Sequence, residues 1–465
     1  MDDEQERSTT AGGAARGAAA PSLARRGLLF ATYFLAMFGI NSAPSLYPSM
    51  EADGLFDAAG AARILGVQTA GTALGKLFAG PLADVVGGRQ TYFLASTLLV
   101  GFVCLMSASG TAWLVGLAAF CMEMANTPIW PAHARIVHGW FPQADIADAF
   151  WVLSMASRGG NMAAGLAFGA LVSAGLHWRW VLRLAAGCCA VGTALGLLFH
   201  KDSRQNTVER GAAPDLRALG RAGCNILMHR QFWMAAFCLM PATVVKRMGQ
   251  AVSIYLFAVA PTVLDKGTAA SVAVVYQVGL LTSVAVGGGL YKRISHQAQR
   301  RMLLGLGCIS SVSAGVLAAW SNTESTTTGD VVWRAVLLFL VAMGIGCSYY
   351  IPTGIFSVKF GGKASTGTVS AFMDMVSWAI AATFLVLQGW VIDGPLGWGG
   401  VWGLVGCASA LCAFTTYRLQ GLLQSGQVRE FNVATDAINQ GEAYRKLAVE
   451  EKADFDDNGD SEAEV

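Results

Sequence analysis

The chain has 465 residues, of which 54% are hydrophobic and 13% are charged. Soluble domains carry about 25% charged residues, so there is too little charge here to cover the surface of an ordinary soluble enzyme. The composition equally excludes a disordered chain, which would be polar. Since a membrane-spanning helix takes about 20 apolar residues, the sequence predicts an all-α polytopic membrane protein.

Twelve apolar runs are long enough to cross a bilayer, and a polar stretch at 201–230 divides them six and six. We therefore predict two six-helix halves at 26–200 and 231–417, a polar N-terminus at 1–25, a central loop at 201–230 and an acidic tail at 418–465. The predicted spans are 27–48, 61–83, 91–109, 112–137, 147–173, 180–200, 231–261, 268–291, 302–320, 331–356, 364–390 and 398–417.

The distribution of Lys and Arg predicts the orientation in the membrane. With a cytoplasmic N-terminus, 23 of the 32 Lys and Arg residues fall in cytoplasmic segments, five in loops on the other side and four inside spans. We therefore expect both termini to lie in the cytoplasm. The first residues are acidic and lack an apolar core, so we expect neither a signal peptide nor a transit peptide.

The two predicted halves resemble each other. Pro131 in the fourth span and Pro352 in the tenth both precede a polar turn, and the following spans begin with Ala149-Phe150 and Ala371-Phe372. This pattern predicts pseudo-symmetric parallel repeats, a plan in which the binding site lies between the halves.

The loop between the second and third spans reads Gly80-Pro-Leu-Ala-Asp84-Val-Val-Gly87-Gly88-Arg89. Asp84 lies at a helix end, where it can pair with Arg89 or cap a helix, and Gly87 permits a tight turn. The loop resembles the signature loop of the major facilitator superfamily, with Gly88 in place of one expected basic residue. The resemblance implies alternating access and a gating role for Gly80, Asp84, Gly87 and Arg89.

Six ionisable residues lie well inside predicted spans, where charge is costly and indicates function. Two interpretations compete. The bases and acids either neutralise each other in a structural network, or the excess of four bases over two acids forms an anion site. We favour the anion site, because Arg grips phosphate or carboxylate with two hydrogen bonds and Lys adds a point charge. The six residues are Lys76, Glu123, Arg158, Lys246, Arg247 and Asp374.

Three segments carry a narrower resemblance: Gly75-Lys76 in the second span, Trp130-Pro131 in the fourth and Lys246-Arg247 in the seventh. They are similar to the organophosphate:phosphate antiporter branch of the superfamily. That branch places a Lys of the second span and an Arg of the seventh at the phosphate, which implies these roles for Lys76 and Arg247. The chain departs from the branch in the first span, where Asn41 stands near the position of an Arg, and in the fifth, where Arg158 stands near the position of a His.

The sequence thus predicts a secondary transporter of a small organic anion, with phosphate ester and phosphate exchange favoured. A proton-coupled symporter of a carboxylate, sugar or amino acid is one alternative, since a buried carboxylate beside a base can bind and release a proton. A non-transporting membrane sensor is another. Glu123 and Asp374 are the proton-coupling candidates, and the candidate substrate-binding residues are Lys76, Arg158, Arg247, Lys246, Asn41, Asn161 and Gln250.

We expect a lipid-embedded monomer that is not an enzyme. No catalytic constellation is visible in the sequence, and nine of the ten Cys residues lie in apolar runs, where thiols behave as small hydrophobic groups. We therefore expect no cofactor, no metal site and no nucleic-acid partner. The expected partners are the anionic substrate, the bilayer, and a proton or phosphate as coupling ion.

Overall fold

The computed structural model describes residues 19–141, 145–200, 224–291, 293–321 and 323–428. Every regular element within these residues is a helix, which confirms the predicted all-α class. The predicted N-terminal segment, central loop and acidic tail therefore lie largely outside the described residues.

The first six predicted spans correspond to eight helices, which are α1 (Ala19–Ile40), α2 (Ser42–Ala52), α3 (Ala58–Val86), α4 (Gly88–Ala108), α5 (Ala112–Asn126), α6 (Ile129–Trp140), α7 (Ile146–Ser173) and α8 (Trp178–Phe199). The last six comprise α9 (Arg230–Met248), α10 (Val252–Val259), α11 (Lys266–Thr282), a π-helical turn (Ser283–Gly287), α12 (Gly288–Tyr291), α13 (His296–Trp320), α14 (Thr328–Asp393) and α15 (Gly397–Gln424).

Nine helical segments of the described chain are long and apolar enough to cross a membrane, as expected for an integral multi-pass membrane protein. The segments around α3, α7 and α9 are not among the nine. These helices carry four of the six intramembrane charges, and the charges themselves reduce the mean hydropathy. The polar residues that weaken the membrane signal are therefore the same residues that the sequence nominates for function.

Three predicted spans are broken in the middle. The first is interrupted at Asn41, between α1 and α2, and the fourth at Thr127 and Pro128, between α5 and α6. In a helix, a proline ring clashes with the backbone carbonyl of the residue four positions earlier. That residue is Ile40, next to the first break, for Pro44, and Thr127, within the second break, for Pro131. The seventh span is interrupted at 249–251, where Gly249 weakens the helix. In a membrane such irregular backbone is tolerated where it lines a cavity.

The tenth and eleventh spans differ from the prediction, because their connecting segment is helical and α14 runs from Thr328 to Asp393. The hydroxyl of Ser357 nevertheless donates to the sulfur of Met373 at 3.8 Å. Sixteen residues of straight helix would separate these atoms by roughly 24 Å, so α14 doubles back and forms two spans. The polar turn predicted after Pro352 begins at Lys359 and contains no proline, and nothing in it forbids helical backbone.

The two sets of spans are joined at one end of the molecule. We call it the loop end, because it carries the helix connections on the side opposite to residues 19 and 428, where the described chain begins and ends. There Arg63 of α3 forms an ion pair with Asp393 at the end of α14. A Cβ atom added to Gly169 of α7 would lie only 2.6 Å from the backbone oxygen of Gly267 in α11. These glycines therefore let α7 and α11 pack backbone to backbone, and the loop end is closed.

Asp265 strengthens the same closure. Its carboxylate begins α11 by accepting hydrogen bonds from the backbone N–H groups of Gly267 and Thr268, and it accepts a bond of 2.8 Å from the Ser173 hydroxyl at the end of α7. Partial burial raises the pKa of Asp265, but the hydrogen bonds from Thr268, Ser173 and Gly267 outweigh it and lower the pKa to about 2. The carboxylate is therefore ionised at every physiological pH.

Arg334 holds the loop end together from within. The count of Lys and Arg residues assigns Arg334 to a loop, although it stands at the start of the predicted span 331–356, and the residue is only 1% exposed. It donates to the Tyr255 hydroxyl at 2.6 Å, to the Ser325 hydroxyl at 2.8 Å, and to the backbone oxygens of Trp320 and Thr323 at 2.9 and 2.7 Å. Arg334 therefore ties the 321–327 connection to α10 and α14.

Replacing Arg334 with Met is expected to lower the free energy of unfolding by about 3 kcal/mol, because it leaves buried carbonyl and hydroxyl oxygens without a donor. Thermal unfolding of the purified protein in detergent measures the effect. Arg183→Met is the matched control, since Arg183 is exposed and lies over the Trp180 ring. Equal unfolding midpoints for the two variants would contradict the assigned role.

Candidate functional site

A cavity of about 860 Å³ lies between the first six and the last six spans. Its size suits a small-molecule ligand, since ligand pockets measure roughly 300–1,000 Å³. The lining extends away from the loop end as far as Trp151 of α7, which is 65% exposed. Its polar lining side chains include Asn41, Thr72, Glu123, Asn126, Arg158, Asn161, Lys246, Arg247, Gln250, Gln277 and Asp374.

Arg247 and Glu123 form a buried ion pair across the cavity wall. The Arg247 guanidinium donates to Glu123 Oε1 at 2.7 Å and to the Thr69 hydroxyl at 2.9 Å. Glu123 also accepts hydrogen bonds from the amides of Gln68 at 3.2 Å and Asn126 at 3.5 Å. Both side chains of the pair are less than a tenth exposed. The pair joins α5 to α9 and is well satisfied, as a buried ion pair must be.

Lys76 and Asp374 form the second ion pair, with 2.9 Å between Nζ and Oδ2. The pair joins α3 to α14, so both ion pairs connect the first six spans with the last six. Each side chain is about a quarter exposed. Asp374 lines the cavity, whereas Lys76 is not among the lining residues and reaches it through Asp374.

Arg158 and Lys246 have no such partner. Within the described part of the chain, neither side chain has a carboxylate oxygen within 4 Å or a hydrogen bond. They rest on aromatic rings instead. Lys246 Nζ lies 3.9 Å from the ring centre of Tyr349, and Arg158 Cζ lies 5.2 Å from that of Tyr350. A ring face attracts a cation but leaves its donors free, so both residues present unused N–H donors at the cavity.

Trp378 completes this arrangement. Its ring centre lies 5.2 Å from Lys246 Nζ and 5.0 Å from Arg247 Cζ. The sequence did not nominate Trp378, Tyr349 or Tyr350 as site residues, since aromatic residues in an apolar span usually serve only to pack against neighbouring helices. The only available signal was the adjacency of two tyrosines just before Pro352.

The amide side chains divide into two groups. The amide of Asn41, at the break between α1 and α2, donates to Asn161 of α7 and to the Met37 backbone oxygen. Gln250 and Gln277 are lining residues of the cavity, and their amide oxygens are buried and have no partner among the described residues. Asn41, Asn161 and Gln250 were expected at the site, whereas Gln277 of α11 was missed because a lone Gln in an apolar run carries no charge.

The signature loop lies at the end of the molecule opposite to the loop end. Gly80 and Asp84 are both within α3, and the Asp84 side chain lies outside what the structure describes. Gly87 separates α3 from α4 with a φ of 95°, a conformation that strongly favours glycine. The Arg89 guanidinium donates to the Leu197 backbone oxygen at 2.8 Å, which ties the loop to the end of α8. The gating role of these four residues remains a prediction.

The model of the Major Facilitator Superfamily matches residues 29–385, which is more than three quarters of the chain. A curated relative is the "Probable galactarate/D-glucarate transporter GudP" of Escherichia coli (strain K12), 30% identical over 89 residues. That match covers 18% of this chain and 20% of the relative, so the chain spans about a fifth of the length of the curated relative it matches.

Several solved structures share the fold. A POT family transporter in complex with 5-aminolevulinic acid superposes with a TM-score of 0.66 at 17% identity, covering 86% of this chain and 96% of the other. A D-xylose-proton symporter gives 0.66 at 13% identity and covers 85% and 97%. The nucleoside transporter NupG gives 0.64 at 14% identity and covers 85% and 98%. At such identities the likeness establishes the fold alone.

Proposed function

The chain belongs to the Major Facilitator Superfamily, and on this premise we propose that it is a secondary transporter of a small organic anion that works by alternating access. The observation that carries the proposal is the charge balance of the cavity. Four cations meet two carboxylates, and both carboxylates are already paired, with Lys76 and Arg247. Arg158 and Lys246 are left with unused donors. Two unpaired cations in a membrane cavity are costly unless an anion joins them.

This charge balance changes which residues we propose as the primary binding site of the anion. The resemblance to organophosphate:phosphate antiporters nominates Lys76 and Arg247, but these are the two cations that already hold a carboxylate. We therefore assign the anionic group of the substrate to Arg158 and Lys246. Lys76 and Arg247 then position Asp374 and Glu123 in the cavity wall. Asn41 and Asn161 are proposed to shape the neighbouring wall.

Two anion classes suit a site with two free cations. A phosphate ester, exchanged against phosphate, is the first choice because of the three segments that resemble the antiporter branch. A carboxylate is the second, favoured by the local similarity to a galactarate/D-glucarate transporter. Arg recognises both groups with paired hydrogen bonds, so the cations alone do not separate these classes.

For proton coupling, Asp374 is the stronger of the two carboxylate candidates. It lines the cavity and is about a quarter exposed, as is its partner Lys76. Glu123 is buried and accepts three hydrogen bonds from side chains, so a proton would have to displace more interactions there. A symport mechanism would therefore use the Lys76–Asp374 pair.

We also propose that both termini are cytoplasmic, on the strength of the Lys and Arg distribution. The closed loop end then faces the outside, and the cavity faces inward. The halves at 26–200 and 231–417 would rock about the cavity, with the loop end opening as Arg63 and Asp393 separate.

Flux measurements in proteoliposomes test the proposal. Uptake of labelled phosphate esters and hydroxy acids should require phosphate or substrate inside if the protein is an antiporter. It should instead require an inward proton gradient, and acidify the lumen, if the protein is a symporter. Empty liposomes, and the neutral parent alcohol or sugar of each substrate, are the controls. Binding of an anion without any flux would contradict transport and favour a sensor.

A further inference from the structure

We propose that Gln250 and Gln277 form a second subsite of the cavity that recognises hydroxyl groups, so that the transported anion is hydroxylated. This inference rests on the proposed function, because it describes the other end of the molecule that Arg158 and Lys246 are proposed to hold. It names the substrate class more narrowly than charge alone allows.

The first support is the state of the two amides. Gln250 and Gln277 both line the cavity, and the Oε1 atom of each is buried and has no hydrogen-bond partner among the described residues. Buried amide oxygens are normally paired, and an unpaired one costs about 1–3 kcal/mol. By contrast, the amide oxygen of Asn161, which also lines the cavity, accepts a hydrogen bond from the Asn41 amide. The two glutamines therefore retain hydrogen-bonding capacity that a ligand can use.

The second support is the way the backbone brings these amides to one place. Gln250 lies in the break between α9 and α10, and Gln277 lies on α11. A Cβ atom added to Gly249 would lie 3.1 Å from Gln277 Nε2 and 2.7 Å from the ring of Tyr276. The absence of a side chain at Gly249 therefore lets α11 approach the break, next to Gln250.

The third support is the spacing from the cations. Gln250 follows Lys246 by four residues and lies just beyond the end of α9 at Met248, so the two residues are close along the chain. That direction leads from the cations toward the loop end, where the cavity is closed. An anionic group held at Lys246 would thus extend the rest of a small substrate toward the two amides.

The chemistry of the amide oxygen selects the group that it would bind. An oxygen acceptor needs a donor, which a second carboxylate or phosphate group does not supply when ionised. An ammonium group would supply one, but Arg158 and Lys246 nearby would repel it. A hydroxyl donates to an amide oxygen, accepts from an amide N–H and carries no charge, so it suits both glutamines.

The test compares the affinities of matched anions for the purified protein by isothermal titration calorimetry. One pair is galactarate and adipate, and the other is glycerol 3-phosphate and propyl phosphate. The two members of each pair share a carbon skeleton, and only the first member carries hydroxyl groups on it. The wild-type protein should bind the hydroxylated member of its preferred pair at least tenfold more tightly. Gln250→Leu and Gln277→Leu should each reduce this preference about tenfold while leaving the affinity for the member without hydroxyls unchanged.

Gln388→Leu is the matched control, because the Gln388 amide is also buried and unpartnered among the described residues but is not part of the cavity lining. It should leave the preference unchanged. Equal affinity of the wild-type protein for both members of a pair would overturn the hydroxyl subsite and leave the anion site standing. Retention of the preference in both Leu variants would overturn it as well. A protein that binds no member of either pair would overturn the proposed function together with the subsite.

Discussion

Replacing Arg158 with Gln is expected to abolish most anion uptake while the protein folds normally. Arg158 has no carboxylate partner among the described residues and lies over the Tyr350 ring, so its removal leaves no buried acid unpaired. A hydrogen bond to a charged group contributes about 1.5–3 kcal/mol, which predicts a loss of roughly 10- to 100-fold in kcat/KM for uptake. Lys246→Gln should act in the same direction, and the double variant should be inactive.

The measurement is the initial rate of uptake into proteoliposomes as a function of substrate concentration. Arg183→Gln serves as the control, because it removes an exposed cation that lies over an aromatic ring outside the cavity lining. Its kinetics should match the wild type. Unchanged uptake in both Arg158→Gln and Lys246→Gln would refute their assignment to the substrate.

The second large effect concerns stability. Arg247→Gln should lower the free energy of unfolding by about 3–5 kcal/mol, because it strands the Glu123 carboxylate in a buried site. The double variant Glu123→Gln/Arg247→Gln should recover most of this loss, since two neutral amides can hydrogen bond where the ion pair stood. A reduced uptake rate in Arg247→Gln alone would therefore report misfolding rather than lost substrate contact.

Unfolding midpoints of the wild type, both single variants and the double variant form a double-mutant cycle that measures the coupling. The account predicts a strongly non-additive cycle. Additive effects, with the double variant as unstable as the sum of the single ones, would show that the Glu123–Arg247 pair does not hold the two sets of spans together.

Much of the fold is predictable from the sequence, because a run of apolar residues commits a segment to the bilayer whatever its neighbours are. All twelve predicted spans coincide with helical segments in the described chain. The breaks at Asn41 and Gly249 were not predicted. A break leaves backbone groups without helical hydrogen bonds, and in a membrane it is tolerated where those groups line a cavity. Helix propensity along one segment does not show where the cavity lies.

The site was only partly predictable for a related reason. Charges inside spans are visible in the sequence, but their partners are not, because spacing along one helix does not show which face of another helix it meets. Lys76 and Asp374 are 298 residues apart, and Glu123 and Arg247 are 124 apart. The pairing decides which cations remain free. The sequence therefore nominates four cations equally, whereas the structure distinguishes the two without a carboxylate, Arg158 and Lys246, from the two that are paired.

The most direct test is an experimental structure with a transported anion bound. The account predicts the phosphate or carboxylate group within hydrogen-bonding distance of Arg158 and Lys246, with the Lys76–Asp374 and Arg247–Glu123 pairs intact. An anion bound instead by Lys76 and Arg247, with Asp374 and Glu123 released from their partners, would contradict it.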